Sequence, residues 1–189
     1  MGGGRRRFGQ RIRICHLLEG VVGKEEQGID PRKTRYAVIP RTLSFLFRGS
    51  EVLLIQGNPQ KKLWAGLYNA IGGHIERGED VTSGALREIR EETGLEVTRF
   101  RLVGTVLVDV EIDLGVCLFV FRGEVKPGDL IPSREGQPAW IAIEQVSELP
   151  VVPDLPLLLR RVWLMGDGAP PFSARSFYNR EGKLEMIFS

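Results

Sequence analysis

Glu88, Glu91 and Glu92 stand at i, i+3 and i+4 in a stretch of helical periodicity, so the three carboxylates project from one side of one helix. At about 100° per residue they span an arc of roughly 100°. Glu92 falls inside the apolar arc drawn by Val81, Ala85, Leu86 and Ile89. Like charges crowded at the edge of a core repel each other and resist desolvation. A hard divalent cation resolves that conflict, because Mg²⁺ takes oxygen ligands, keeps some waters and pairs with substrate phosphates. Taken alone, the same residues also read as a solvated helix face, with Arg87–Glu91 an ordinary i,i+4 ion pair.

The elements around these residues bear on the choice. Gly72-Gly73 and Gly78 make a loop that brings bare backbone close to a ligand. Asp80 or Thr82 is placed to cap the helix that follows, and Gly94 to end it. Written out, the stretch is Gly73, five residues, Glu79, seven residues, Arg87-Glu88-Ile89, one residue, Glu91-Glu92, one residue, Gly94-Leu95. It resembles the signature of the Nudix hydrolases, G-x5-E-x7-R-E-U-x-E-E-x-G-U with U aliphatic, at all nine specified positions.

The resemblance implies a metal-dependent hydrolase acting on a nucleoside diphosphate linked to a further group. It implies Mg²⁺, with Mn²⁺ as the alternative, held by Glu88, Glu91, Glu92 and the Gly72 carbonyl. It also implies that Arg87 pairs with Glu79 and fixes loop against helix. Phosphoanhydride cleavage needs positioning and charge neutralisation more than covalent chemistry. It also needs a carboxylate to accept the water's proton, and Glu88 is the first choice. Glu76 either joins the metal ligands or lies exposed on its loop.

The whole chain sets wider bounds. Its 189 residues, 42% of them hydrophobic, suit one packed domain, and a formal charge of +2 advertises no nucleic-acid or membrane partner. Cys15 and Cys117 lie far apart and read as free thiols in a reducing compartment; His16 beside Cys15 is too little for a zinc site. With no apolar run of membrane-spanning length and a glycine-arginine start, a soluble cytoplasmic protein is expected, as monomer or homodimer. Residues 1–35, with Arg5, Arg6, Arg7, Arg11 and Arg13, read as an N-terminal extension, either a poorly ordered tail or an arm for an anionic ligand.

The domain proper is expected over residues 36–189. YAVIPRTLSFLF and EVLLIQ suggest a hairpin around Arg48-Gly49-Ser50, and Lys61 and Lys62 sit in a loop that is solvated or meets phosphates. Two long strands follow the carboxylate helix, then a Pro/Gly loop holding Glu135, a short strand AWIAI, a short helix IEQVSEL, an apolar helix from Leu155 to Met165 and a closing hairpin around Arg180-Glu181-Gly182. Strands mixed with two main helices read as α/β or α+β. The Nudix resemblance narrows this to an α/β/α sandwich with a mixed central sheet.

Outside the signature, WAGLYNAIGGHIERGE resembles the MutT-type 8-oxo-dGTP diphosphatases, above all the animal oxidised-purine triphosphatases. The likeness continues through TLSFLF at Thr42, Glu135-x-x-Pro138-x-Trp140, Pro153-Asp154 and the FSARSFYNREG hairpin. It implies Glu135 as a further metal ligand, Asn69 and Asp154 as contacts to the purine edge, and Thr42 among the substrate-binding residues. The residues alone leave Asn69 open as a turn former and Asp154 as a helix cap. Tyr68 stands where the animal enzymes have tryptophan, Ala70 and Ala174 where they have glycine, and Leu155 where they have a second aspartate. The expected activity is hydrolysis of an oxidised purine triphosphate to monophosphate and pyrophosphate. ADP-ribose or nucleotide-sugar hydrolysis, and a non-catalytic nucleotide sensor, are the alternatives.

Overall fold

The computed structural model describes residues 35–60 and 63–189. The N-terminal extension expected over residues 1–35 therefore lies outside the described residues except for Arg35, as do Cys15, Lys61 and Lys62.

Strands β1 (Ala37–Arg48) and β2 (Glu51–Gly57) form the expected hairpin, and their side chains divide between the two faces of the sheet. Leu43, Phe45, Phe47, Val52 and Leu54 join one core, while Leu46, Leu53 and Ile55 join the other. Such near-continuous apolar strands belong to a sheet covered on both sides. The remaining strands are β3 (Tyr68–Asn69), β4 (Val97–Asp109), β5 (Leu114–Val125), β6 (Gly136–Ala142), β7 (Phe172–Tyr178) and β8 (Leu184–Phe188). Their order is β3-β2-β1-β5-β4-β7-β8, with β6 also paired to β2. Pairs β1–β5 and β4–β7 are parallel and the others antiparallel, so the sheet is mixed as expected.

Helix α1 (Val81–Thr93) covers one face, with Ile89 packed among Leu46, Leu53, Ile55, Ile71 and Leu95. Asp80, rather than Thr82, caps it: Asp80 Oδ1 accepts from the N–H groups of Thr82 (2.9 Å) and Ser83 (3.0 Å). Gly94, at φ 74°, ends it with its N–H on the Arg90 carbonyl. Helix α2 (Leu155–Trp163) covers the opposite face through Leu155, Leu158, Leu159 and Val162.

Several expectations need correcting. IEQVSEL is a 3₁₀ turn over Ile143–Glu148, and α2 stops at Trp163 rather than Met165. The strand seen as AWIAI begins earlier, at Gly136, because it pairs along the whole of β2. Leu86 is only half-buried; the inward arc of α1 is instead completed by Gly84, Glu92 and Thr93.

One departure from regularity shapes the site. β2 leaves β1 after Leu46↔Leu53, and the chain at residues 69–74 enters the gap. It bridges from β2 (Ile55↔Asn69) to β1 (Ser44↔Ile71, then Arg41↔His74). A cleft opens there.

Candidate active site

Gly72 and Gly73 lie flat against Thr42. The Thr42 N–H donates to the Gly73 carbonyl at 2.9 Å, and the Gly73 N–H donates to Thr42 Oγ1 at 3.3 Å. A Cβ on Gly72 would stand 2.1 Å from the Thr42 carbonyl oxygen, and one on Gly73 2.5 Å from the Glu88 carboxyl. Only bare backbone fits against β1 at Gly72, whereas a side chain at Gly73 would displace the Glu88 carboxyl. The Gly72 N–H also donates to Glu92 Oε2 at 3.1 Å. Glu92 is 4% exposed, on the inward arc of α1 where its spacing placed it.

Arg87 ties loop and helix together. Its Nε and Nη2 grip the two oxygens of Glu79 at 2.8 and 3.0 Å, Nη2 also donates to the His74 carbonyl at 3.0 Å, and Nη1 reaches Glu88 (2.9 Å) and Glu91 (3.2 Å). The Glu79 carboxyl, which also accepts the Glu76 N–H, is held down at about 2 by the Arg87 guanidinium. Glu76 is exposed and contributes its backbone rather than its carboxylate to this knot.

The carboxylates thus occupy three environments: Glu92 buried, Glu88 half-buried against Gly73, and Glu91 60% exposed. Among the described residues no three His, Cys, Asp or Glu side chains converge as a ready-made metal cluster, and Arg87 Nη1 stands between Glu88 and Glu91. The donor set nevertheless fits a hard cation, since every candidate atom is a carboxylate or carbonyl oxygen. Glu92 and Glu135 line one cleft of about 390 Å³ together with Thr42, Asn69 and Gly72.

A second cleft of about 480 Å³ shares Arg41, Leu43, Trp64 and Asn69 with the first and reaches Asp154. Asp154 sits at the start of α2, but its side chain makes no capping bond. Helix capping therefore does not explain it; burial pushes its carboxyl up from the usual range. Asn69 makes a local contact, with Oδ1 accepting the Ala70 N–H at 2.8 Å, and also lines both clefts. Arg41 and Trp64 are among the wall residues that the sequence reading did not single out. Arg41, whose Nε donates to His74 Nε2 at 3.1 Å, had only its place beside Thr42 to signal it. Trp64, at φ 61° in the loop after β2, opens the WAGLYNAIGGHIERGE stretch but was given no role there.

Residues 38–162 match the sequence profile of the NUDIX domain. The chain belongs to the Nudix family. This Nudix hydrolase is 31% identical over 133 residues to the oxidized purine nucleoside triphosphate hydrolase of Mus musculus, covering 64% of this chain and 79% of that one. It is 27% identical over 113 residues to the NAD-capped RNA hydrolase NudC of Pseudomonas aeruginosa, covering 59% of this chain and 38% of that protein. Among solved structures, a MutT protein from Bacillus halodurans superposes with a TM-score of 0.68 at 25% identity, over 80% of this chain and 98% of that one. Among the described residues no helix is long and apolar enough to cross a membrane.

Proposed function

We propose that this Nudix hydrolase is a Mg²⁺-dependent nucleoside triphosphate diphosphohydrolase that prefers an oxidised purine. The observation that carries the reading is the joined cleft. The Glu92 and Glu135 carboxylates stand in one part, the Asn69 and Asp154 polar groups in the other, and Asn69 is common to both. A triphosphate lying along it has its charge at the carboxylate end and its base at the end with amide and acid groups. The likeness to the mouse enzyme supports the choice of substrate.

In this reading Glu88, Glu91, Glu92, Glu135 and the Gly72 carbonyl hold the metal, and Thr42, paired with the Gly73 backbone, sets the floor beneath the phosphates. When bound, the cation neutralises phosphate oxygens and acidifies a water. The rest falls to the chain. Arg87 donates to Oε1 of Glu88 at 2.9 Å and holds the side chain against Gly73, so that this carboxylate is placed to accept the attacking water's proton. The water oxygen bonds to phosphorus, the bridging P–O bond between the α- and β-phosphates breaks, and pyrophosphate leaves with the bridging electron pair. Glu79 takes no proton; it fixes Arg87.

A nucleotide panel with Mg²⁺ and with EDTA tests this, with products identified. The expected result is monophosphate and pyrophosphate from 8-oxo-dGTP faster than from dGTP, dATP or dCTP, all abolished by EDTA. Preferential release of AMP and ribose 5-phosphate from ADP-ribose would overturn the substrate assignment in favour of a nucleotide-sugar hydrolase.

A further inference from the structure

On β7, Phe172, Ala174 and Ser176 alternate inward, and the first two belong to the core beneath α2. The third inward position should by that pattern be apolar. It is a serine, 1% exposed, and its Oγ has no hydrogen-bond partner among the described residues. The backbone does not explain the choice, since Ser176 is paired with Val108 on β4 and Met186 on β8 as any residue would be. A buried hydroxyl without a partner destabilises the fold relative to alanine at the same place.

Ser176 lines the larger cleft, which Asn69 enters from β3 and Asp154 from the start of α2. Much of the wall between is apolar, including Leu43, Val108 and Leu118, while Arg41, Asp109 and Tyr178 also line the cleft. A few polar groups converging from separate elements into an apolar cleft mark where a ligand's polar atoms go. Among the described residues the other partnerless buried hydroxyl, Ser44 Oγ, lines neither cleft. The two orphans are thus distinguished by position.

We propose that Ser176 is a specificity-determining residue of this cleft, its hydroxyl hydrogen-bonding a heteroatom on the edge of the substrate's purine base. The inference rests on the nucleoside triphosphate reading given above. A hydroxyl both donates and accepts, so it adds a contact that neither the Asn69 amide nor the Asp154 carboxyl duplicates in position. Its desolvation cost is met when the base enters. A base that presents no partner there leaves the hydroxyl buried and unpaired, which is how a polar pocket rejects a wrong substrate.

Ser176→Ala in the full chain removes one oxygen and little volume. With Mg²⁺, kcat/KM for the preferred purine triphosphate should fall about five- to tenfold, mostly through KM, while that for dCTP stays within about twofold. In EDTA, calorimetric titration with dGMP and dCMP should show the same loss of preference without any catalysis. Melting temperature should hold or rise, because an orphaned group has gone. A purine-to-pyrimidine ratio unchanged within about twofold, in an enzyme that hydrolyses purine triphosphates, overturns the inference and leaves the function intact. An unchanged ratio with a lower melting temperature overturns it too, assigning the hydroxyl to the fold. A wild-type protein that hydrolyses no nucleoside triphosphate defeats the functional reading, and this inference with it.

Discussion

Replacing Glu92 by glutamine tests the proposed metal role of the helix apart from its packing role. Glu92 is 4% exposed on the arc that also buries Ala85 and Ile89, and its Oε2 accepts the Gly72 N–H at 3.1 Å. Glutamine keeps the length and an acceptor oxygen, so Gly72 retains its partner, and an amide is less costly to bury than a carboxylate. Stability in EDTA should therefore change by no more than about 1 kcal/mol, which is about 2–4 °C for a domain of this size. In Mg²⁺ the two proteins should diverge. A cation at a hundred times its dissociation constant stabilises the wild type by about 2.7 kcal/mol, or roughly 5–10 °C. The variant, one ligand charge short, should lose most of that rise. Its kcat should fall at least about a hundredfold, the scale for removing one group that stabilises developing charge. Paired thermal melts in EDTA and MgCl₂, with steady-state rates on the best triphosphate, make the test. A variant with the full magnesium-dependent rise and kcat within about tenfold of wild type would refute the metal assignment.

Arg87→Ala should lower melting temperature and activity together, since it releases the Glu79, His74, Glu88 and Glu91 contacts at once, whereas Glu88→Gln should spare stability and lose activity. Glu79 is held at about 2 in the fold against an ordinary 4.5, so its contribution is present above pH 4.5 and is lost as pH falls from 4.5 towards 2. Acid unfolding curves of Glu79→Gln should be flatter in that window than those of wild type. Asp154 is shifted the other way by burial: it weighs against the fold once pH rises above its ordinary 3.8, so Asp154→Asn should raise melting temperature at pH 8 and leave it unchanged below pH 3.8. Asn69→Ala should cut kcat/KM for the best purine triphosphate tenfold to a hundredfold and flatten purine over pyrimidine preference, measured on 8-oxo-dGTP, dGTP, dATP and dCTP, by the roughly 1–3 kcal/mol that an unpaired contact is worth.

What could be read from the residues divides by sequence distance. The loop, the cap and the carboxylate arc lie within Gly72–Leu95, so spacing put Glu92 on the apolar arc where it is buried, while the choice of Asp80 over Thr82 as cap needed the structure. The hairpins and the mixed α+β class were legible for the same reason, as local periodicity bounded by turn residues. β3 was not, because two residues have no period; it exists only because β2 offers an edge at Ile55 and Gln56. Arg41, Trp64 and Ser176 come from three distant segments that the parallel β4–β7 pairing and the split between β1 and β2 bring to one cleft. Nothing in a one-dimensional pattern distinguishes a serine facing a cavity from one facing water.

In the proposed reading, that split also sets the separation between the base end and the phosphate end of the joined cleft. Asn69 is held to Ile55 on β2, Ile71 to Ser44 on β1, and His74 to Arg41. The extended backbone between Asn69 and Gly72 is therefore pinned from both sides. At about 3.3 Å per residue those three steps span about 10 Å. Because side chains alternate along such a strand, Asn69 and the glycine pair keep their facing only while the register holds. The bulk excluded at Gly72 and Gly73 then does two things together. At Gly72 it lets the strand approach Thr42 closely, and at Gly73 it leaves room for the Glu88 carboxyl to come up from α1 beneath the backbone. The cleft's length is set by the sheet, and its chemistry by what the helix places under two residues without side chains.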